Sequence, residues 1–260
     1  MHLAHQELFK KLDENGAIAV ICTGYANLTC KTHRMRHTHF PLFYYPLESI
    51  KHLSGEEFIR ILQEEFPSLK KIVVGYDFHF GHKALQDTSD LQILFDGEVV
   101  VVDEFTYDGV AIHSRVIRQY LRDGEIENAN KFLGYPYMVS GHCVKGQGLG
   151  KKQFVPTLNI EISDFLIPKE GIYATKAFMS GKSHNAVTFV GNRVTTDGKF
   201  ACETHILDAD IQIDSPHRLE VEFYTKLRDN KKYEKYEELK MQILEDIKMA
   251  KQYFTQVGDK

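Results

Sequence analysis

The sequence predicts an α/β half followed by a small antiparallel β-barrel and a closing helix. Three observations carry this reading. Strands alternate with helical segments over roughly residues 1–135; around Gly134-Tyr-Pro136 the pattern changes to short strands parted by Gly, Asn and Asp; and Tyr233–Phe254 reads as one long helix. Alternation of the first kind makes a parallel sheet covered by helices. The second rhythm suits a small barrel. At about 100–200 residues per domain, 260 residues hold two modest domains, here 1–135 and 136–260.

The elements follow in order. Leu3, Leu8, Phe9 and Leu12 fall at near-helical spacing and stop at Asn15-Gly16. Ala17–Cys22 is a short apolar strand and Leu42–Tyr45 a second extended piece. Ser54-Gly-Glu-Glu57 starts a helix that carries Phe58, Ile59, Leu62 and Phe66 on one side. Lys71–Gly75 and Val99–Val102 are strands, the latter continuously apolar as in a sheet covered on both faces. Ile117–Leu121 and Ile126–Leu133 are helices. Beyond Tyr137, strands are expected over Met138–Val144, Leu158–Ile162, Ile172–Phe178, Ala186–Val190, Cys202–Ile206 and Leu219–Tyr224. Leu239, Ile243, Ile247 and Tyr253 line one side of the closing helix.

Composition narrows the class. Hydrophobic residues at 43% and charged residues at 26% are those of an ordinary globular protein, and a net charge of −4 gives bulk electrostatics no reason to favour nucleic acid. Cys22, Cys30, Cys143 and Cys202 lie far apart without a CxxC pair, which argues against a thiolate zinc site or a disulfide framework and for a reducing, cytoplasmic setting. The apolar run Ala17–Cys22 falls far short of the roughly 20 residues that cross a bilayer. The amino-terminal segment reads as an amphipathic helix and not as a signal peptide.

Three features of the barrel half carry chemistry. Lys145-Gly-Gln-Gly-Leu-Gly150-Lys-Lys is glycine-rich and basic, so Gly146, Gly148 and Gly150 can bring backbone N–H groups close to phosphate while Lys151 adds charge. A plain flexible hairpin is the alternative, and the loop lacks the GK[ST] ending of a Walker A motif. In Pro156-Thr-Leu-Asn159, Thr157 and Asn159 sit two apart on an extended strand, placing two hard oxygen donors on one side, as magnesium prefers. In Glu203-Thr-His-Ile-Leu-Asp208, the Glu203 carboxylate can take a proton from an alcohol nucleophile. Each alone reads first as a flexible hairpin, a strand start or a polar strand face.

Together, G-x-G-x-G, PTxN and ETHxLD resemble riboflavin kinase as found in bacterial bifunctional FAD synthetases, and Leu227-Arg-Asp229 with the long helix is similar to the family's LRxE and closing helix. The resemblance implies that Gly146–Lys151 holds ATP phosphates, Thr157 and Asn159 serve Mg²⁺, Glu203 activates the ribityl hydroxyl, and Arg228 lines the flavin side. The family's PTAN is PTLN here, Phe154 and Val155 replace its glycine and aromatic, and Gly191-Asn-Arg-Val-Thr195 lacks the proline of G-x-RPT.

The first half extends the resemblance. His2 and His5 lie three apart on a helix start, where imidazoles can polarise phosphate; surface histidines or an adventitious metal pair are the alternatives. H-x-x-H is similar to the HxGH signature of Rossmann-like nucleotidyltransferases, and Val73–Gly81 resembles the FAD synthetase segment VVGxDFxFG. Asp77 then lies beside the flavin or nucleotide. Ser114, Arg115 and Arg118 stand where the family has SSTxIR, with His113 and Arg115 replacing its first serine and its threonine. The basic run Lys31–His39 is expected as a solvated loop, with a phosphate-facing flap as the alternative, and His79 and His82 as solvated loop residues.

The family's opening strand and GxFDG turn, central in its parallel sheet, are not in this sequence. The expectation is therefore a bifunctional enzyme that phosphorylates riboflavin and adenylates FMN, with ATP as co-substrate and no nucleic-acid or membrane partner. The alternatives are a riboflavin kinase with an inactive first half, and a flavin- or RNA-binding module without activity.

Overall fold

The apolar runs of the first half become strand–helix units, and those of the second close on themselves. This computed structural model describes residues 1–24, 27–144, 155–195, 197–207 and 218–258. The chain divides into two units, Met1–His113 and Ser114–Lys260.

The first unit runs α1 (Leu3–Phe9), β1 (Ile18–Cys22), a 3-10 helix (Lys31–His37), β2 (Leu42–Pro46), α2 (Leu47–Ile50), α3 (Gly55–Glu65), β3 (Lys71–Gly75), α4 (Thr88–Leu94), β4 (Glu98–Val102) and a hairpin of β5 (Thr106–Tyr107) and β6 (Val110–Ala111). β1 pairs with β2 in parallel, from Ile18 opposite Leu42 to Cys22 opposite Pro46. β3 pairs with β4 in parallel, from Lys71 opposite Glu98 to Gly75 opposite Val102. Among the described residues no ladder joins the two pairs. The one parallel sheet expected from the sequence is thus divided into two pairs among the described residues.

α3 begins where the capping signal put it. Ser54 Oγ accepts the Glu57 N–H and Glu57 Oε2 accepts the Ser54 N–H. This sets Phe58 and Ile59 inward, against Val74, Phe80, Leu91 and Phe95. α4 and the β5–β6 hairpin were not expected; α4 is capped at Asp87, whose side chain takes the N–H groups of Ser89 and Asp90.

The second unit opens with α5 (Ser114–Asp123) and α6 (Ile126–Leu133). β7 (Tyr137–Val144), β8 (Leu158–Glu161), β9 (Gly171–Met179), β10 (Lys182–Asn192), β11 (Phe200–Ile206) and β12 (Arg218–Arg228) follow, and α7 (Tyr236–Gly258) comes last. The six strands form a closed barrel in the order β10-β11-β8-β7-β12-β9, every pairing antiparallel. Closure gives every strand a neighbour on both sides. Tyr137, Tyr173, Phe223, Leu219, Val139, Val190 and Val221 fill the interior and are fully buried. Three buried threonines form a hydroxyl ladder across β9, β10 and β11: Thr175 to Thr188 at 2.8 Å, Thr188 to Thr204 at 2.9 Å.

Two connections tie the helices to the barrel. Asn130 of α6 donates to the Phe223 carbonyl and accepts from the Tyr137 N–H, so the α6–β7 junction is stitched to β12. α7 lays Ala250, Ile247, Tyr253 and Phe254 against Ile172, Ala174 and Val187.

Candidate active site

β8 and β11 lie side by side with Glu203 opposite Asn159 and Thr204 opposite Leu158. Side chains alternate along a strand. Thr204 is in the buried hydroxyl ladder, so Glu203 points to the other face, where its cross-strand neighbour Asn159 also points. Thr157, two residues before Asn159, precedes the strand, and the Pro156 carbonyl beside it is held by His205 Nδ1 at 2.7 Å. The barrel register thus sets Asn159 beside Glu203, with Thr157 two residues upstream of Asn159.

Glu203 is partly buried, its side chain 22% exposed. Burial raises its carboxyl pKa, and the guanidinium of Arg193 acts against that rise. Arg193 Nη1 donates to Glu203 Oε1 at 3.1 Å, and Nη2 to Asp197 Oδ2 at 3.0 Å. Neither Arg193 nor Asp197 was picked out as a site residue from the sequence. The one available signal was the segment Gly191–Thr195, noted there only for its missing proline.

Among the described residues, no group of three or more His, Cys, Asp and Glu is placed to hold a metal. The donors on this face are instead neutral oxygens next to one carboxylate. Such a set suits magnesium whose charge is balanced by substrate phosphates. Gly146, Gly148, Gly150 and Lys151 lie outside the described residues.

Arg228, at the end of β12, meets the closing helix. Its Nε and Nη2 each donate to one oxygen of the buried Asp246 carboxylate at 2.7 Å, and Nη1 donates to the Asp229 carbonyl. At the start of α5, Ser114 and Arg118 are half-buried and Arg115 is exposed. Burial, and then Arg122, depress the Arg118 pKa.

In the first unit, His2 caps α1 and is buried, and His5 lies one turn on. Their rings stack at 3.8 Å between centroids, and His5 Nδ1 accepts the His2 N–H at 3.3 Å. Burial, the Met1 ammonium and Arg34 push the His5 pKa down to about 4. The same ammonium donates to Thr29 Oγ1 at 2.6 Å, and Arg34 Nε donates to the Thr29 carbonyl at 3.1 Å. The run Lys31–His39, expected as a solvated loop, instead begins with the 3-10 helix; His33 is buried and the His37 pKa falls to about 4, first through burial. Burial, more than the neighbouring charges, thus favours the neutral forms of His5 and His37. Asp77 is exposed in the turn after β3, with its carbonyl against His79 Nδ1 at 2.9 Å.

A nucleotidyltransferase-type α/β unit followed by a closed six-stranded antiparallel barrel and a long helix is the class of protein that the fold defines. Residues 133–254 match the family model of riboflavin kinase, and residues 29–116 that of FAD synthetase. The chain belongs to the family of bifunctional riboflavin kinase/FMN adenylyltransferases. A protein of that name from Listeria monocytogenes is 33% identical over 74% of this chain and 62% of its own length. Its namesake from Escherichia coli K12 is 30% identical over 78% of this chain and 66% of its own. The chain therefore spans about 62% of the first of these relatives. A solved structure described as a macrolide-efflux protein from Streptococcus pneumoniae superposes with a TM-score of 0.83 at 25% identity, covering 96% of this chain and 90% of that one.

Proposed function

We propose that the chain makes FMN from riboflavin and ATP in its barrel, and FAD from FMN and ATP through its first half. The observation that carries the kinase reading is the register of β8 against β11, which sets Glu203 across from Asn159 although the two lie far apart in sequence. Glu203 Oε2 takes the proton of the ribityl 5′-hydroxyl as that oxygen bonds to the γ-phosphorus of ATP; the bond to the bridging oxygen breaks and ADP leaves. Thr157 and Asn159 would hold Mg²⁺, which supplies charge neutralisation for the phosphates. Gly146, Gly148, Gly150 and Lys151 cradle the ATP phosphates, and Arg228 borders the flavin.

In the second reaction a phosphate oxygen of FMN bonds to the α-phosphorus of ATP and pyrophosphate leaves. His2 and His5 polarise the α-phosphate, Ser114, Arg115 and Arg118 take the departing pyrophosphate, and Asp77 borders the flavin or nucleotide. The division of labour falls at 1–135 and 136–260. α5 and α6 belong to the barrel's compact unit, yet α5 opens on the phosphate-binding segment, and the FAD synthetase model reaches residue 116.

Four free cysteines fit a reducing cytoplasmic setting. No helix among the described residues is long and apolar enough to cross a membrane. A kinase acting alone is the second reading, favoured by the divided sheet of the first unit.

The test supplies riboflavin, ATP and Mg²⁺ to the purified chain and separates the flavins. Both FMN and FAD are expected. No FMN overturns the kinase assignment, and FMN without FAD, including when FMN is supplied, leaves the kinase-only reading. Glu203→Gln should abolish FMN formation while riboflavin still binds; undiminished phosphorylation would remove Glu203 as the base.

A further inference from the structure

A catalytic carboxylate on the outside of a barrel strand needs something to hold it still, because a glutamate side chain turns about three bonds. Glu203 has one such holder. Oε1 accepts from Arg193, and Oε2 has no hydrogen-bond partner among the described residues. Arg193 is itself gripped from its far side, one arm of the guanidinium on Glu203 and the other on Asp197. All three side chains are only 17–24% exposed.

The turn that carries Arg193 is anchored from several directions. Arg193 N donates to the Lys199 carbonyl and Gly198 N to the Arg193 carbonyl, closing the β10–β11 turn. Glu170 takes both the backbone N–H and the side-chain amide of Asn192, at 3.3 and 2.7 Å. Asn230, beyond β12, donates to the Asn192 carbonyl at 2.8 Å, and Tyr233 N donates to Thr195 Oγ1 at 3.2 Å. Gly191 bends the strand into this turn at φ +143°, and a Cβ there would come within 2.8 Å of Glu170 Oε2. A charged side chain, an asparagine and a glycine thus all serve to fix where Arg193 sits.

We propose that Arg193 is a positioning residue for the kinase reaction, clamping Oε1 of Glu203 so that Oε2 is presented to the hydroxyl of riboflavin, with Asp197 setting the clamp. The inference rests on the reading of Glu203 as the base. An arginine suits the task because its planar fork can hold two carboxylates at once in fixed directions, which the single ammonium of a lysine cannot. Misplacing a group that acts only in the reacting step costs rate more than binding.

The experiment compares Arg193→Gln, Arg193→Lys, Asp197→Asn and Glu203→Gln in the full chain, measuring kcat and KM for FMN formation and riboflavin binding by flavin fluorescence. Arg193→Gln is expected to lower kcat roughly 10- to 100-fold, the range supporting partners of a reacting group command, with KM and flavin binding little changed. Arg193→Lys should restore part of the rate, and Asp197→Asn should give a smaller loss of kcat in the same direction. An unchanged or raised kcat in Arg193→Gln overturns the proposal, since Arg193 would then be idle or a block on the base. So does a loss confined to KM, which would make it a substrate-binding residue. Should Arg193→Gln fail to fold, the kcat–KM split in Arg193→Lys and Asp197→Asn decides. If Glu203→Gln keeps its activity, the base reading falls first, and that outcome is distinct from a clamp that proves dispensable beside an essential Glu203.

Discussion

Replacing Arg228 by leucine should unfold the barrel unit at far lower denaturant than the parent chain. Asp246 is 4% exposed and both its oxygens are engaged by the Arg228 fork, with Gln242 Nε2 at 3.1 Å as a lesser donor. Losing the guanidinium leaves a buried carboxylate with one neutral hydrogen bond, a change that costs about 3–5 kcal/mol. With a urea dependence of about 1–3 kcal/mol per molar, the midpoint should fall by about 2 M. The double variant Arg228→Leu/Asp246→Leu removes both charges and should recover most of the loss, so that the coupling in the mutant cycle is about 2–3 kcal/mol. Equilibrium urea unfolding followed by circular dichroism measures all four corners. A single variant within about 0.5 kcal/mol of the parent, the size of an ordinary surface change, would refute the reasoning. Riboflavin affinity of the double variant then reports separately on whether Arg228 also borders the flavin.

Acid should weaken the first unit. His5 and His37 titrate near 4 in the folded chain against about 6.5 when unfolded, so between those values the unfolded state binds more protons. Stability is complete above about pH 6.5 and is lost as pH falls toward 4; scanning calorimetry from pH 7 to 4.5 should show one transition moving down. The transition that Arg228→Leu leaves in place is the one expected to move, and a flat profile would mean these histidines are as solvated folded as unfolded. Thr188→Val, in the middle of the buried hydroxyl ladder, should cost about 1–3 kcal/mol by leaving Thr175 and Thr204 short of a partner. The triple valine variant should regain most of it in the same urea assay, and a triple variant weaker than the single one would contradict this.

Much of this architecture was legible because its signals are local. The barrel strands have short apolar runs cut by turn residues, and each predicted one corresponds to an observed strand. β10 and β12 extend further than expected, since their ends, Lys182–Asn185 and Thr225–Arg228, carry no continuous apolar run and are held by cross-strand pairing. α4 escaped because it spans only Thr88–Leu94, too short for periodicity to register, although Asp87 and Asp90 gave a capping signal. The order of the motifs carrying Thr157, Asn159 and Glu203 could be read directly, but the shared face of Asn159 and Glu203 depends on a register that no single strand specifies. Arg193 on Glu203, and Arg228 on Asp246, were invisible for a different reason: each pair spans a turn or joins a strand to a helix, and charge in sequence does not say which charge it will meet. The basic run Lys31–His39 misled in the same way, since burial of His33 is a property of its packing and not of its composition.

The divided sheet of the first unit has a consequence for how the protein behaves when concentrated or heated. Among the described residues every barrel strand has two neighbours, which leaves less unpaired backbone to recruit another chain. Among the described residues, β1, β2, β3 and β4 each have one neighbour, and β2 carries the exposed aromatics Phe43 and Tyr44. Unclaimed backbone donors and acceptors beside exposed aromatic rings template strand-on-strand growth. Self-association, where it occurs, should therefore begin in the first unit while the barrel stays folded, and an aggregate formed on gentle warming should retain the barrel's slow hydrogen exchange.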